Sequence, residues 1–196
     1  MAILSTSNTK IQKGEKSGFK TAGIHLAPHK LSGYNTCIAA STGCALSCLN
    51  TAGMGVYSTV QAARIKKTKV FFEDRNTFMV SLIKEIKSMI KKSAKLNLTP
   101  AFRLNLTSDI AWENIKHEGM NIMDMFPDVT FYDYTKIPKR MLQFTRGKLP
   151  NTYKGKKVID GDINDLRFLD PKGIVVGLIQ KGRAKKDASG FVVEPA

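Results

Sequence analysis

AFRLNLTSD, residues 101–109, is the stretch that decides the fold of this chain. Its first six residues, 101–106, alternate apolar and polar side chains, which predicts a half-buried β-strand directly after Pro100. Its last three, TSD, offer capping side chains for a helix that begins near Ile110. The sequence therefore predicts a strand, a polar corner and a helix in succession.

The same order recurs about thirty residues downstream. Residues 129–134 are β-branched and aromatic, which favours a strand, and residues 136–144 predict a short helix with Pro138 near its start. Repeated strand and helix units are typical of parallel βαβ structure, whose ligand sites gather at the carboxyl ends of the strands. Asp109 and Asp133 fall at those ends.

The predicted fold class is α/β: a partial or shortened (β/α) barrel-like parallel sheet with amphipathic surface helices. A complete eightfold barrel needs about 250 residues, and this chain has 196. Residues 19–26 predict the first strand. Three short β-prone pieces follow the second repeat, over residues 158–160, 173–179 and 190–193.

Two parts are expected along the chain. Residues 1–20 are polar, basic and without periodicity, which indicates a flexible N-terminal arm or an edge segment. Residues 21–196 are expected to form a single α/β domain that contains a cysteine loop over residues 37–55.

Helical periodicity marks the region from residue 58 to residue 95. Ser58 or Thr59 is positioned to cap a first helix that runs towards Lys67. Residues 76–95 predict a second helix, whose apolar face carries Met79, Leu82, Ile83, Ile86 and Ile90 and whose opposite face carries Lys84, Lys87, Lys91 and Lys95. The lysine face is interpreted as solvated, with a phosphate-tracking surface as the alternative.

The net charge of +15, from 31 Lys and Arg against 16 Asp and Glu, favours nucleic acid or a nucleotide as partner. The plain alternative is a positive charge that only keeps the protein in solution. No run of eighteen apolar residues and no signal-peptide pattern is present, so the sequence predicts no membrane partner and a cytoplasmic location.

The three cysteines lie within twelve positions, and their odd number argues against a disulfide framework. They are open to three interpretations. Free thiols pack as small hydrophobic groups, zinc needs a fourth ligand, and an iron–sulfur cluster can be held by three thiolates. The residues concerned are Cys37, Cys44 and Cys48, with His25, His29 or His117 as the fourth zinc ligand.

A four-iron cluster (4Fe-4S) on three thiolates leaves one iron open, and S-adenosylmethionine is the ligand expected there. Small residues around Gly43 would let backbone amides approach the cluster and a cofactor carboxylate. The cysteines are separated by six and then three residues, which departs from the three-then-two spacing of the radical S-adenosylmethionine family.

Polar residues at the two corners complete the candidate site. Asp109 and Asp133 could bind ribose hydroxyls or act as bases, and Arg103 and Lys136 could hold a carboxylate or phosphate. The alternatives are an N-cap for Asp109 and ordinary ion pairing for the rest; core packing accounts for Trp112. The candidate catalytic residues are Asp109, Glu113, Asp133 and Lys136, and the candidate cofactor-binding residues are Gly43, Arg103, Asn105 and Ser108.

Four stretches together resemble the "gene product 88" family of bacteriophages and mobile elements. They are STGCALSCLNTAGMG (41–55), RLNLTSDIAWENI (103–115), FPDVTFYDYTK (126–136) and the tail at residues 161–193, within a likeness that spans residues 30–193. The resemblance implies a phage-encoded protein and favours a cysteine-bound metal. Members of the family carry a longer section between the helix at Lys136 and the strand at Val158.

Two hypotheses follow for function. The first is a phage iron–sulfur metalloprotein, distantly similar to radical S-adenosylmethionine enzymes, that uses S-adenosylmethionine on a nucleic-acid or nucleotide-like substrate. The second is a non-catalytic, basic nucleic-acid-binding protein with a structural zinc or free cysteines.

Overall fold

A four-stranded sheet forms the centre of the structure. The computed structural model describes residues 1–6, 13–46, 48–51, 53–137, 139–140, 143, 185–186 and 192–193. The sheet has the order β1-β2-β3-β6, and two further strand pairs, β4–β5 and β7–β8, stand apart from it. The strands are β1 (Leu4–Ser5), β2 (Phe19–Ile24), β3 (Thr99–Arg103), β4 (Lys116–His117), β5 (Met120–Asn121), β6 (Thr130–Phe131), β7 (Lys185–Lys186) and β8 (Val192–Val193).

Three α-helices lie between β2 and β3. They are α1 (Thr42–Leu46), α2 (Ser58–Glu73) and α3 (Arg75–Lys95). Single 3₁₀ turns occur at Lys13–Ser17, Leu49–Thr51, Gly53–Val56 and Trp112–Asn114. The long helices α2 and α3 form the crossover that parallel pairing of β2 and β3 requires.

The pairing of β2 with β3 sets the direction of the sheet. It runs in parallel from Phe19 opposite Thr99 to Gly23 opposite Arg103. Strand β6 adds in parallel to β3, and the Tyr132 N–H extends that ladder by donating to the Phe102 carbonyl at 3.0 Å. Three carboxyl ends therefore meet at one edge.

The hydrophobic core lies between the sheet and the two long helices. Ile24 and Phe102 from the sheet pack in one cluster with Phe71 of α2 and Leu82 of α3, all of them at most 1% exposed. The Asp74 side chain caps α3 by accepting the Thr77 N–H at 3.1 Å. The helix predicted for residues 76–95 from its apolar periodicity is confirmed as α3.

The predictions for α2 and the lysine face have mixed outcomes. Helix α2 ends at Glu73 rather than near Lys67, and its N-cap is Tyr57, which makes no side-chain capping bond. The caps predicted at Ser58 or Thr59 are therefore wrong. Lys84, Lys87, Lys91 and Lys95 are all exposed, as the solvated-face interpretation predicts.

The predicted strand over residues 101–106 is displaced: β3 covers 99–103 and includes Pro100. The helix predicted near Ile110 is wrong as well, because the segment forms only one 3₁₀ turn and then the β4–β5 hairpin. The Ile110 N–H is taken by the Asn105 side chain at 3.0 Å, which holds the corner out of helical geometry. Asp109 is therefore no N-cap.

The start of the predicted arm over residues 1–20 is an edge segment rather than a flexible arm. Ile3 is 1% exposed, and the N–H groups of Ile3 and Leu4 donate to the Glu85 carboxylate at 2.7 to 3.1 Å. Strand β1 (Leu4–Ser5) pairs antiparallel with β2 and forms one edge of the sheet. Strand β2 begins at Phe19, where the first strand is predicted, so the arm ends before residue 19.

A mixed α/β fold with a mostly parallel sheet is confirmed. Across the described ranges the sheet keeps two edges, β1 and β6, and does not close. The β-prone residues 158–160 and 173–179 lie outside the described residues, so the shortened barrel stays a prediction. Of residues 190–193, Val192 and Val193 form β8.

Among the helices that the structure describes, none is long and apolar enough to cross a membrane.

We predict that Gly23→Ala destabilises the fold by about 1 to 3 kcal/mol, since overpacking a tight contact costs about that much. A Cβ at this position would lie 2.6 Å from Leu106 Cδ1 and closer still to the Arg103 carbonyl oxygen. Urea denaturation measures the change. Gly43→Ala is the control, because a Cβ there meets no atom within 4 Å; equal losses for both variants would contradict the prediction.

Candidate functional site

A polar site lies at the end of the sheet where β2, β3 and β6 finish. We call it the carboxyl edge and define it by the residues that end or follow these strands: His25 after β2, Arg103 and Asn105 at the end of β3, and Asp133 and Tyr134 after β6. Parallel strands bring their carboxyl ends to one edge, which is why residues distant in sequence meet here.

The side chain of Asn105 organises the corner after β3. Its Nδ2 donates to Asp133 Oδ2 at 2.5 Å and to the Ile110 carbonyl at 2.8 Å. Its Oδ1 accepts from Ser108 Oγ at 2.8 Å and from Trp112 Nε1 at 3.2 Å. One buried amide thus joins the end of β3 to the end of β6.

Arg140 draws three carboxylates together. Its Nε donates to Glu113 Oε1 at 2.7 Å, and its Nη1 donates to Asp133 Oδ2 at 2.7 Å. The same Nη1 lies 3.5 Å from Asp109 Oδ1. All four side chains are at most 11% exposed, so the acidic group is held by a cation that is itself buried.

Burial raises the pKa of Asp133, while Arg140 and the Asn105 hydrogen bond oppose that rise. The carboxylate also accepts the Tyr134 N–H at 2.8 Å. These contacts use both oxygens of Asp133, so its first role is to hold the corner.

Asp109 has one oxygen in use and one without a hydrogen bond. Its Oδ2 accepts the Lys136 backbone N–H at 2.8 Å, and its own N–H donates to the Thr36 carbonyl at 2.8 Å. Its Oδ1 is buried and makes no hydrogen bond within the described residues. That oxygen is available to a donor on a ligand.

Arg103 lies against the ring of Tyr134, with its Cζ 4.0 Å from the ring centroid. Its Nε is shielded from solvent and has no hydrogen-bond partner in the described part of the chain. Burial lowers the pKa of Arg103, and the nearby acidic groups, Asp133 among them, act against that.

His25 is surrounded by positive charge. Burial and, in decreasing order, the charges of Arg64, Lys67 and Arg103 together lower its pKa to about 4. Its Nδ1 is buried and unpartnered among the described residues. The imidazole is therefore neutral at pH 7, with one ring nitrogen left without a protein partner.

The cysteine loop borders the carboxyl edge through Cys37. Its Sγ lies 3.5 Å from the His29 backbone N and 3.9 Å from the Thr107 carbonyl oxygen. Burial raises the pKa of Cys37; the hydrogen bonds from His29 and Thr36 oppose the rise, and the charges of Asp109 and Cys48 add to it. Cys37 thus lies within electrostatic range of both Asp109 and Cys48.

The far end of the loop is fastened to α2. Asn50, two residues after Cys48, accepts a 2.8 Å hydrogen bond from Arg64 Nη1 on its side chain. Gln61 Nε2 donates to the carbonyl oxygens of Asn50 and Gly55 at 3.3 and 2.9 Å. The charge of Cys48 raises the pKa of Arg64, against the larger opposite effect of burial.

All three cysteines are free thiols and half-buried. None belongs to the hydrophobic core, so the interpretation of buried, inert cysteines does not describe them. However, no group of three or more His, Cys, Asp or Glu side chains in the described residues is arranged to hold a metal ion.

Electrostatic effects link these residues in a closed series around the carboxyl edge, which we call the electrostatic ring. From Arg64 it passes through Cys48 and Cys37 to Asp109, and from there through Arg140, Asp133 and Arg103 to His25 and back to Arg64. The steps from Asp109 to Arg140 and from Arg140 to Asp133 are direct ion pairs, and the others act through charge at longer range. Within the described residues, the buried side-chain nitrogens and oxygens without a hydrogen bond all belong to this ring: His25 Nδ1, Arg64 Nε, Arg103 Nε and Asp109 Oδ1.

The structure brings most of the predicted site residues together. Asn105, Ser108, Asp109, Glu113 and Asp133 form one hydrogen-bonded network with Arg140. Lys136 enters it through its backbone N–H. Gly43 lies in α1, where a Cβ would meet no atom within 4 Å, so no close approach requires glycine there.

Three residues of the site were not found from the sequence. Arg64 and Arg140 were not singled out, and His25 was considered only as a zinc ligand. Arg64 had a usable signal, because it lies one helical turn before Thr68 and about two before Phe71 on the buried face of α2. Arg140 had none, since its partners come from separate segments.

The fold and the site together define a mixed α/β protein with a polar, partly unsatisfied cluster at the carboxyl edge of a mostly parallel sheet. A model of the Gene product 88 family matches residues 2–155, more than half of the chain, and the chain belongs to that family. The match begins well before residue 30 and ends before the tail at 161–193. Searches of curated proteins and of solved structures found no match.

We predict that Arg140→Gln lowers the free energy of unfolding by about 3 to 5 kcal/mol, because it leaves buried carboxylates without their cation. Urea denaturation at pH 7 measures the loss. Lys139→Gln makes the same change of charge on the neighbouring, exposed side chain and should be nearly neutral. A similar small effect of both substitutions would show that Arg140 does not hold the acidic group.

Proposed function

We propose that this chain is a ligand-binding metalloprotein whose cysteine loop carries an iron–sulfur cluster beside a ligand site at the carboxyl edge. The proposed ligands are S-adenosylmethionine and a nucleic-acid or nucleotide-like substrate. The observation that carries the proposal is the electrostatic ring, which contains two of the three cysteines together with four buried polar atoms that lack a hydrogen bond within the described residues.

Buried polar groups in folded proteins almost always have partners, since an unmet one costs about 1 to 3 kcal/mol. Four such atoms around one edge are therefore best explained by a polar ligand. Arg64 Nε and Arg103 Nε need an acceptor, whereas Asp109 Oδ1 needs a donor. A nucleotide and an amino-acid-like cofactor both offer an anionic group at one end and hydroxyl or amino donors at another.

The cysteines fit a metal centre only in part. Their half-burial and their place beside the ring support it. Against it, the thiols are not gathered into a ligand set in the described residues, and the raised pKa of Cys37 means that metal binding must displace a proton. The proposal therefore requires the loop to move when metal binds, and we derive no chemical step through the cluster.

The roles of the polar residues can be stated without the cluster. Asp109 Oδ1 is ion-paired with Arg140 but has no hydrogen bond in the described chain, and it would accept one from a ligand N–H or hydroxyl. Asp133 and Asn105 position the corner, and the Arg140 guanidinium donates hydrogen bonds to both Glu113 and Asp133. Glu113, Asp133 and Lys136 are therefore proposed as positioning residues rather than catalytic ones.

The wider setting is part of the same proposal. A phage-encoded protein that acts in the host cytoplasm would keep its thiols reduced, which a thiolate metal site needs. We also propose two more specific points: that the reaction is of the radical S-adenosylmethionine class, and that the fold is a shortened barrel.

We predict that protein reconstituted with iron and sulfide under anaerobic conditions is brown, with a broad charge-transfer band and stoichiometric iron and sulfide. Absorption spectra and elemental analysis measure this. Cys44→Ser and Cys48→Ser should both lose the colour, because each removes a thiolate ligand.

Ser41→Ala and Thr51→Ala, on the same loop, are the controls and should keep the colour. A colourless protein that contains only zinc, or no metal, after this treatment would remove the iron–sulfur proposal and leave the ligand site to be tested by itself.

A second candidate function, binding of nucleic acid without catalysis, is favoured by the lysine face of α3. Its lysines are exposed, and Val80, Ile83, Lys84, Lys87, Ser88 and Lys91 line a groove of about 520 Å³. Several lysines in one row attract a phosphate backbone by releasing counterions from it.

We predict that replacing Lys84, Lys87 and Lys91 together by Gln weakens binding to single- or double-stranded DNA or RNA and reduces its dependence on salt by up to about three counterions. Fluorescence anisotropy at several salt concentrations measures both effects. A triple Gln variant of Lys16, Lys30 and Lys116, which lie off this helix, is the charge-matched control. Equal weakening in the two variants would assign the binding to net charge alone.

A further inference from the structure

We infer that His25, Arg64 and Arg103 form a phosphoryl-binding subsite at the carboxyl edge. We call these three residues the cationic cluster. The inference rests on the ligand site of the proposed function but does not depend on the metal centre. The group that these three side chains are proposed to bind is a phosphate carrying two negative charges.

The α2 contribution is fixed by a chain of hydrogen bonds. Thr68 Oγ1 donates to the Arg64 carbonyl and accepts the Ala27 N–H, each at 2.8 Å. Because Ala27 lies two residues after His25, this contact packs the Arg64 turn of α2 against the end of β2. Arg64 is 8% exposed, and its Nη1 is occupied by Asn50 while its Nε has no partner in the described chain.

The β3 contribution comes from Arg103. The Arg103 backbone lies opposite Gly23 of β2 in the parallel ladder. Gly23 lies two residues before His25, so Arg103 is beside the end of β2. The ring of Tyr134 covers one side of the guanidinium. This contact orients the group without using its N–H donors, which leaves Nε free to donate to an acceptor from outside the protein.

Charge compensation separates the cationic cluster from the rest of the site. Arg140 already binds Glu113 and Asp133, and Lys67 Nζ donates to the Ile3 carbonyl at 2.8 Å. Neither Arg64 nor Arg103 has an ion pair within 4.0 Å in the part of the chain that the structure describes. A buried guanidinium (Arg64) and a half-buried one (Arg103), each with a shielded Nε and no carboxylate within 4.0 Å in the described chain, are matched by one doubly charged oxyanion.

His25 suits the same ligand. It is neutral among cations, and its unpartnered Nδ1 can carry the ring proton and donate it to a phosphate oxygen. A bound dianion would also offset the positive charges that disfavour the imidazolium. Phosphate binding is therefore coupled to the state of His25, which gives the site a spectroscopic reporter.

The test is a titration of the full chain with inorganic phosphate, followed by NMR of the imidazole C–H groups and by calorimetry. The chain has three histidines, so His29 and His117 serve as internal references. We expect the His25 resonance to move on saturation, while the His117 resonance stays in place. Adenosine monophosphate should bind at least as well as phosphate, and adenosine and acetate should not compete.

Arg64→Gln and Arg103→Gln should each weaken phosphate binding by about ten- to a hundredfold, the usual value of a charge-assisted hydrogen bond. Lys69→Gln removes the same charge from the exposed surface of α2 and should leave binding unchanged. Circular dichroism establishes that each variant is folded. Arg103→Lys, which keeps the charge, should recover part of the binding even if Arg103→Gln does not fold.

An unmoved His25 resonance in the unmodified protein would overturn the inference, as would equal weakening by Lys69→Gln or competition by acetate equal to that of phosphate. The Cys48→Ser variant separates the phosphoryl subsite from the metal centre. If this variant binds phosphate normally but fails to take up iron and sulfide, the two sites are independent. Loss of the metal proposal then leaves the phosphoryl subsite intact.

Discussion

The side-chain amide of Asn105 is the contact on which the carboxyl edge depends. It bridges the corner after β3 and the end of β6 by holding the Ile110 backbone and the Asp133 carboxylate at once. A carboxylate in its place would repel Asp133, and an apolar residue would leave several buried donors and acceptors unmet. Arg140 completes the arrangement because it supplies the charge that allows carboxylates to remain buried side by side.

The sequence predicted the parts of the fold that follow from local pattern. The periodicity of α3, the strand character of β2 and β6, and the polar corners at Asp109 and Asp133 were all legible in single segments. The helix at Ile110 was predicted wrongly because side-chain competition for the Ile110 N–H depends on where Asn105 points, which no local pattern records. The ends of β3 shifted for a related reason, since pairing with β2 decided them.

The candidate site was predicted on its acidic side and missed on its basic side. Asp109, Glu113 and Asp133 stood out at strand ends, where acids suggest chemistry. Arg64 and Arg140 did not: among 31 Lys and Arg residues, only the helical spacing of Arg64 from Thr68 and Phe71 marks a buried arginine, and nothing marks Arg140. The result is a site with two halves: carboxylates saturated by Arg140, and cations that the described chain leaves without counter-charges.

The wide separation of β2 and β3 along the chain has a consequence for biosynthesis. Residues 19–24 leave the ribosome first but pair with residues 99–103, and Asp133 and Arg140 emerge later still. The helical hairpin of α2 and α3 is local and can form early, whereas an apolar strand must wait without its partner. During that interval both edges of β2 are open to chaperones or aggregation. Strand β1, held by the contacts of Ile3 and Leu4 with Glu85 of α3, can cover one edge early, but the edge that later pairs with β3 stays open.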